Sequence, residues 1–271
     1  MGTLGDMGGG QASCGHGQES GRVGDATVRA PRAAFDAVLL DAFGTLVELE
    51  PPAPRLRAGL WEIARVDVGE AAAGRAFRAE IEHYLAHHLE GRDAGSLDAL
   101  RADCAEVIRR SLGLPDGAHA AVREAMLGAI RFVAYPDAAP ALAALRSCGM
   151  RLVVASNWDC SLADALASAG LGGAVDAVVP SAKVGAAKPD PRLFAAALEE
   201  AGVSPGRAAH VGDSVEHDVE GAQAAGVTSV LVRRVPGAGG PADIAGAPPG
   251  TAEIRSLAEL PALLSASGWR R

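Results

Sequence analysis

Four short stretches of the chain each carry a polar side chain that can do chemistry. Asp41 follows VLL, Ser156 follows RLVVA and Asp213 follows HVG, while Lys188 lies in the segment KPDP. A carboxylate at the end of a strand can act as a nucleophile or bind a hard cation such as Mg²⁺. A hydroxyl or an ammonium nearby can hold the oxygens of an anion. Together the four residues suggest a site for an anionic small molecule.

Each of these residues also has an ordinary structural role. An Asp often ends a strand, a Ser often caps a helix, and a single Lys is most often a surface residue. Asp218, five residues after Asp213, also fits a helix cap or a solvated position. The functional hypothesis depends on the combination, because the carboxyl ends of parallel strands meet at one edge of a sheet.

The elements that would position these residues are the strands of an α/β fold. Residues 36–41 read as a short buried strand. From Tyr135 onward, predicted strands alternate with predicted helices, and these strands are RLVVASN, VDAVVPS, AAHVGDS and VTSVLVRR. Such alternation predicts a parallel sheet with right-handed crossovers. We therefore expect a core domain formed by residues 35–49 and 134–271.

A long helical stretch separates the first predicted strand from the next one. Apolar residues recur at three- and four-residue spacing through residues 50–133, which is far longer than an ordinary βα crossover. We interpret this stretch as a separate, all-helical cap domain. Residues 1–34 are rich in Gly and lack periodic apolar positions, so they are predicted to be a disordered tail.

The composition argues against two classes of partner. The 271-residue chain has a formal net charge of −8, which disfavours binding to nucleic acid and to an anionic membrane surface. It has no run of 18 apolar residues, its start lacks a secretory signal, and its four cysteines have no metal-binding spacing. We expect a cytoplasmic protein with reduced thiols and a small-molecule substrate, and no pattern predicts an oligomeric state.

In this order the four stretches resemble the motifs of the haloacid dehalogenase (HAD) superfamily. The matching segments are DAFGTL, ASN, KPDP and GDSVEHDVEGAQAAG, within residues 35–260. The resemblance implies a HAD-like Rossmannoid core of three layers, with the helical cap inserted after the first motif. It also implies a hydrolase that works through a covalent aspartyl intermediate.

The resemblance implies a role for each residue of the motifs. Asp41 would be the nucleophile, and Lys188 would be a catalytic residue that neutralises anionic oxygens and pairs with Asp41. Mg²⁺ would be bound by Asp41, Asp213 and the carbonyl of Phe43, with Asp218 supporting it from nearby. The remaining substrate-binding residues would be Phe43 and Gly44, through their backbone, Ser156 and Asn157.

Phe43 departs from the phosphatase pattern of the superfamily. Phosphatases usually carry an acid/base Asp two residues after the nucleophile, whereas the dehalogenases carry Tyr there. The dehalogenases, however, work without Mg²⁺ and lack the aspartate that corresponds to Asp213. The favoured hypothesis is a Mg²⁺-dependent phosphatase-type hydrolase of a small phosphorylated metabolite, with Phe43 replacing the acid/base. The alternatives are a 2-haloacid dehalogenase-type hydrolase and a non-catalytic HAD-like binding module.

Overall fold

A six-stranded sheet forms the centre of the structure, a computed structural model that describes Met1, residues 35–234 and residues 246–265. A separate sheet of two strands consists of β2 and β3. The strands of both sheets are β1 (Ala37–Leu40), β2 (Val47–Leu49), β3 (Phe132–Ala134), β4 (Arg151–Ser156), β5 (Ala177–Pro180), β6 (Ala208–Gly212), β7 (Thr228–Val232) and β8 (Ala252–Ile254). The six-stranded sheet has the order β5-β4-β1-β6-β7-β8, and all its neighbouring strands are parallel. The predicted α/β fold with a parallel sheet is confirmed.

The α-helices fall into two groups. They are α1 (Pro52–Ala64), α2 (Glu70–His87), α3 (Ala94–Ser111), α4 (His119–Ala129), α5 (Ala138–Ser147), α6 (Leu162–Ser168), α7 (Ser181–Val184), α8 (Pro191–Ala201), α9 (Gly221–Ala224) and α10 (Leu260–Ser265). Helices α1 to α4 lie between β2 and β3 along the chain, and α5 to α10 alternate with or follow the strands of the large sheet.

Helices cover both faces of the large sheet, which gives the three layers that the resemblance implies. On one face Val38 and Leu40 of β1 belong to the same apolar cluster as Leu142 of α5. On the other face Leu39 belongs to a cluster with Phe194 of α8. Because successive side chains of a strand point to opposite faces, a strand that is covered on both sides must be apolar throughout, as AVLL is.

The strand β1 lies at the centre of the sheet, between β4 and β6. Leu40, its last residue, pairs with Val154 of β4 and with Val211 of β6. The three strands run in the same direction, so their carboxyl ends lie side by side. The residues that follow β1, β4 and β6 therefore converge at one edge of the sheet.

Helices α1 to α4 form a helical cluster with an apolar core of its own. Helix α1 packs against α2 and α4, and α3 packs against the same two helices. The larger buried residues of this core are Leu56, Leu60, Phe77, Leu100, Ile108, Val122 and Met126. The helical cluster and the sheet belong to one compact unit, Ala33–Arg271. The division into a core domain (35–49 and 134–271) and a cap domain (50–133) stays a prediction.

The end of the predicted helical stretch is wrong by a few residues. Helix α4 ends at Ala129, and Ile130 already has extended backbone, with φ −76° and ψ 109°. Phe132–Ala134 form β3, which pairs antiparallel with β2. The aromatic and β-branched residues of β3 favour a strand, and β2 supplies the partner that makes one possible. The two short strands join the helical cluster to the rest of the chain.

Two further predictions concern the ends of the chain and the membrane. The predicted tail at residues 1–34 lies outside the described residues, apart from Met1. Among the helices that the structure describes, none is long and apolar enough to span a membrane.

Candidate active site

Asp41 is the first residue after β1. Its amide donates to the carbonyl of Val211 at 2.9 Å, which extends the pairing of β1 with β6 by one residue. Its side chain is only 8% exposed, and Oδ1 accepts a hydrogen bond from Ser156 Oγ at 2.9 Å. Burial, together with the charge of Asp218, raises the pKa of Asp41, although Lys188 and Ser156 act to lower it. The carboxylate is thus partly desolvated before any substrate binds.

The turn after Asp41 brings the backbone against Asp213. Gly44 has a φ of +79°, which other residues rarely adopt, and a Cβ at this position would collide with the carboxylate of Asp213. The Gly44 amide donates to the carbonyl of Val47 at 2.9 Å and closes the turn. Glycine is required here on both counts, and the turn sets the first motif beside Asp213.

Lys188 links two buried carboxylates. Its Nζ donates to Asp41 Oδ1 and, at 2.6 Å, to Asp218 Oδ1. The lysine side chain is 2% exposed, so its charge is removed from water. Burial lowers the pKa of Lys188, but the charges of Asp218 and Asp41 outweigh burial and raise the pKa above its usual value. Lys188 is therefore charged at neutral pH, with its ammonium group beside the candidate nucleophile.

Asn157 fixes the backbone of Lys188. Its Nδ2 donates to the Lys188 carbonyl at 3.1 Å, and its Oδ1 accepts from the Lys188 amide at 2.6 Å. Two residues later, Asp190 caps α8 by accepting from the amide of Arg192, and Pro191 occupies the first helical position. The loop that carries Lys188 is thus held at both ends, while direct contact of Asn157 with a substrate stays a prediction.

Asp41, Asp213 and Asp218 form an acidic cluster at this edge of the sheet. Each offers a carboxylate oxygen that lies within 4.8 Å of the other two. Burial, together with the charges of Asp41 and Asp218, raises the pKa of Asp213 to about 8. Three carboxylates face the single ammonium of Lys188, so the ionised cluster has an excess of negative charge that a divalent cation would neutralise. Oxygen ligands of this kind suit Mg²⁺.

Asp218 is held by three groups of the protein. Its Oδ1 accepts from His210 Nε2 at 2.9 Å as well as from Lys188, and its Oδ2 accepts from the Ser214 amide at 3.0 Å. Burial raises the pKa of Asp218, but Lys188 and His210 outweigh burial and bring the pKa below its usual range. Sequence analysis did not identify His210, whose only signal is a polar residue inside an otherwise apolar strand.

Three aromatic residues meet at the first motif, DAFGTL. The ring centroids of Phe43 and Phe132 are 6.4 Å apart, edge to face, and those of Phe132 and Trp158 are 4.7 Å apart. Phe43 packs against the apolar core under the sheet and against that of the helical cluster. An apolar ring therefore occupies the position two residues after Asp41, and it can neither give nor take a proton.

The structure thus brings most of the predicted site residues together. Asp41, Ser156, Lys188 and Asp218 form one hydrogen-bonded network, and Asp213 completes the acidic cluster. The predicted roles of these residues in catalysis, in substrate binding and in metal binding stay predictions. The bond from His210 to Asp218, which holds this network from outside, has no counterpart among the motifs.

Comparison with known proteins agrees with the motifs. A family model described as haloacid dehalogenase-like hydrolase matches residues 35–226. Haloacid dehalogenase-like hydrolase domain-containing protein 3 of Mus musculus is 49% identical over 87 residues, which are 32% of this chain and 35% of that protein. Phosphoserine phosphatase of Thermus thermophilus is 38% identical over 130 residues, which are 48% of this chain and 52% of that enzyme. The matched stretches thus span between 35% and 52% of these two relatives.

A solved structure is similar over more of the chain. L-2-haloacid dehalogenase from Xanthobacter autotrophicus, with chloropropionic acid covalently bound, superimposes with a TM-score of 0.59 at 25% sequence identity. The similarity covers 86% of this chain and 99% of that enzyme. The chain is therefore similar to a phosphatase over part of its sequence and to a solved dehalogenase over most of its length.

Proposed function

Because the chain belongs to the haloacid dehalogenase-like hydrolase family, we propose that it is a Mg²⁺-dependent enzyme of the phosphatase type. The substrate is a small phosphorylated metabolite, and the nucleophile is Asp41. Mg²⁺ is held by Asp41, Asp213 and the carbonyl of Phe43, and Asp218 supports the metal by orienting its surroundings. Similarity to the phosphoserine phosphatase of Thermus thermophilus supports this reaction class.

The position of Asp213 is the observation that carries the proposal. Lys188 bonds to Asp41 and Asp218, so the charge of Asp213 is not neutralised by this direct contact. Keeping three carboxylates close together in a largely buried place is costly unless a cation neutralises them. The raised pKa of Asp213, about 8, reflects that cost. A divalent cation beside Asp213 would remove this energetic cost.

In the proposed reaction Asp41 attacks the phosphorus of the bound substrate. A bond forms between phosphorus and a carboxylate oxygen of Asp41, while the bond to the leaving oxygen breaks. The ammonium of Lys188 and the backbone amide of Phe43 hold the phosphoryl oxygens as negative charge develops on them, whereas the Gly44 amide is already bonded to the Val47 carbonyl. Mg²⁺, when bound, supplies further neutralisation of this charge. Water then cleaves the aspartyl phosphate, which releases inorganic phosphate and restores Asp41.

Phe43 narrows the range of substrates that such a site hydrolyses quickly. With no acid at this position, the leaving oxygen departs without a proton from the protein. Aryl and acyl phosphates, whose leaving groups are weak bases, should therefore react faster than alkyl phosphates. Cleavage of the aspartyl phosphate is also slow, because no side chain at position 43 activates water.

A second candidate is 2-haloacid dehalogenase-type hydrolysis, and Phe43 is the observation that favours it. A halide leaves without a proton, so this reaction needs no acid at position 43. Asp41 would attack the carbon that bears the halogen, the carbon–halogen bond would break, and water would hydrolyse the resulting ester. The similar enzyme from Xanthobacter autotrophicus has chloropropionic acid covalently bound.

A substrate panel with and without Mg²⁺ separates the candidates. It contains 4-nitrophenyl phosphate, acetyl phosphate, glycerol phosphate and 2-chloropropionate. Mg²⁺-dependent release of inorganic phosphate by the wild type, lost in Asp41→Asn, supports the phosphatase proposal. Release of chloride without Mg²⁺ overturns it in favour of the dehalogenase. If the protein binds Mg²⁺ but turns over none of the four compounds, the binding module is the better description.

Calorimetric titration with Mg²⁺ tests the ligand set without turnover. Asp213→Asn should weaken Mg²⁺ binding by more than about tenfold, because it removes an anionic oxygen from the cluster. Asp190→Asn is the matched control, since Asp190 caps α8 outside the acidic cluster. Equal affinity in the wild type and Asp213→Asn would remove Asp213 from the ligand set.

We also propose a cytoplasmic location and an anionic small-molecule substrate. The three described cysteines, Cys104, Cys148 and Cys160, are free thiols, which suits a reducing compartment. The net charge of −8 repels an anion, so its binding depends on the local charge of Lys188 and of the metal.

A further inference from the structure

Tyr84 and Asp159 join the helical cluster to the loop that follows β4. Tyr84 lies on α2, and Asp159 is the third residue after Ser156, the end of β4. The Tyr84 hydroxyl donates to Asp159 Oδ2 at 2.9 Å and accepts from the Asp159 amide at 3.3 Å. A single hydroxyl thus bonds both the side chain and the backbone of a residue that is only 4% exposed.

The surroundings keep this contact in one arrangement. Asp159 Oδ1 accepts from the amide of Ser161 at 2.7 Å and from its Oγ at 2.6 Å, so the carboxylate cannot rotate freely. Burial, followed by the charge of Asp159, raises the pKa of Tyr84 well above its usual value. The hydroxyl therefore stays protonated and remains a donor to the carboxylate.

The turn after α2 meets the same loop through its backbone. The Cys160 amide donates to the Gly91 carbonyl at 2.8 Å. A Cβ on Gly91 would lie 2.9 Å from the Cβ of Asp159, closer than such carbons come in proteins. The two backbones are in such close contact that α2 and the turn after it cannot move here without displacing residues 159–160.

The other end of this loop holds the reacting groups. Ser156 donates to Asp41, and Asn157 is bonded to the backbone of Lys188 in both directions. Only Asn157 and Trp158 separate Ser156 from Asp159 along the chain. A shift of Asp159 is therefore passed to the groups that orient the nucleophile and the lysine.

We propose that Tyr84 is a positioning residue of the active site that acts through Asp159. Docking of α2 on residues 156–160 orders Ser156 and Asn157 for the reaction at Asp41. The helical cluster thereby contributes to the geometry of the nucleophile. The kinetic consequence of this inference rests on the proposed function, whereas its structural consequence does not.

Amide hydrogen exchange tests the structural consequence without a substrate. Tyr84→Phe keeps the ring and removes only the hydroxyl, so the amides of residues 156–161 should exchange about tenfold faster. Ser147→Ala is the matched control, because it removes an exposed hydroxyl that donates to the Ala144 carbonyl far from this loop. Unchanged exchange at residues 156–161 in Tyr84→Phe overturns the proposal. So does an increase spread evenly over all helices, which would indicate general destabilisation.

Steady-state kinetics test the coupling to Asp41, using 4-nitrophenyl phosphate with Mg²⁺. Tyr84→Phe should lower kcat/KM about tenfold, with a fall in kcat and a rise in KM. A smaller folded fraction would lower kcat and leave KM unchanged, and that result counts against the proposal. Because Tyr84 acts through Asp159, the double variant Tyr84→Phe/Asp159→Asn should lose no more kcat/KM than Asp159→Asn alone. Additive losses of kcat/KM overturn the inference. If the wild type releases phosphate from none of 4-nitrophenyl phosphate, acetyl phosphate and glycerol phosphate, the proposed function has failed, and the exchange result alone decides the inference.

Discussion

His210 Nε2 lies 2.9 Å from Asp218 Oδ1, the same oxygen that accepts a hydrogen bond from Lys188 Nζ. The histidine is on β6, is fully buried, and meets the ring of Phe194 edge to face at a centroid distance of 5.1 Å. It therefore holds, from within the sheet, the carboxylate that bonds to Lys188.

Replacing His210 by Leu should loosen this arrangement. Leu is apolar and cannot donate a hydrogen bond, so Asp218 loses a donor, and the free energy of unfolding should fall by about 1.5–3 kcal/mol. Urea denaturation of the two proteins measures the difference. His210→Gln can donate through its side-chain amide and should recover part of the loss. Equal stability of the Leu variant and the wild type would mean that the bond contributes nothing.

Phe43→Asp should restore the carboxylate that the superfamily's phosphatases usually carry. Hydrolysis of an alkyl phosphate should rise by up to about 10²-fold, because the leaving oxygen then receives a proton. Hydrolysis of an aryl phosphate should change much less, since its leaving group needs little help. The ratio of the two rates is therefore the quantity to measure at saturating Mg²⁺. Phe43→Leu, which removes the ring without adding an acid, is the control. An equal change in the alkyl and aryl phosphate rates of Phe43→Asp would contradict the role of position 43 as the proton donor.

Glu80 should make the stability of the protein depend on pH, independently of the active site. It is a buried residue of α2, 4% exposed, and burial raises its pKa from 4.5 to about 7. Between these values the folded protein holds a proton that the unfolded chain releases, so the contribution of Glu80 to stability is fully present below about pH 4.5 and is lost as pH rises through about 7. The full loss corresponds to about 3 kcal/mol at most.

Glu80→Gln should remove this part of the pH dependence. At pH 8 the variant should unfold at a higher urea concentration than the wild type, because Gln is buried without a charge to desolvate. Glu82→Gln, at an exposed position of the same helix, should behave as the wild type does. Unfolding of Glu80→Gln and the wild type at the same urea concentration at both pH 5 and pH 8 would contradict the prediction.

Arg234 should matter for the first motif although it lies far from it in sequence. Its Nη1 pairs with Asp137 at 2.7 Å, its Nη2 donates to the Thr45 carbonyl at 2.5 Å, and its guanidinium lies over the ring of Tyr135. Arg234→Met leaves Asp137 with only its hydrogen bonds from Ser256 and Leu257 and should lower the free energy of unfolding by about 1.5–3 kcal/mol. Arg234→Lys keeps the charge but not the forked geometry, so it should recover only part. Urea unfolding that ranks the Lys variant with the wild type would contradict this geometry.

The parts of the structure that sequence analysis predicted correctly depend on local patterns. The apolar runs before Asp41, Ser156 and Asp213 identify three strands, and strand–helix alternation makes those strands parallel. Parallel neighbours end at the same edge, so the three residues converge without any further information. The pairing of Lys188 with Asp41, which the sequence also suggested, follows from the same edge once the lysine is placed in the loop before α8.

The features that were missed depend on partners distant in sequence. A strand of three residues such as β2 has almost no local signal, and it becomes a strand only because β3 returns beside it. The bond between Tyr84 and Asp159 likewise joins residues 75 positions apart. His210 is an ordinary polar residue until the turn after β6 brings Asp218 back to it. Such contacts arise from tertiary packing, which periodicity does not report.

The chain enters and leaves the helical cluster at a single place. The amide of Glu50 donates to the carbonyl of Arg131 at 3.0 Å, directly beyond the paired strands β2 and β3. The two ends of the inserted segment are therefore held together at Glu50 and Arg131, whatever its length. The entropic cost of closing such a segment grows only slowly with the number of residues in it. The helical cluster is accordingly an insertion whose two ends are neighbours. Another module exchanged for it between Glu50 and Arg131 would keep the strand order, but it would have to replace the contacts that Tyr84 and Gly91 make with Asp159 and Cys160.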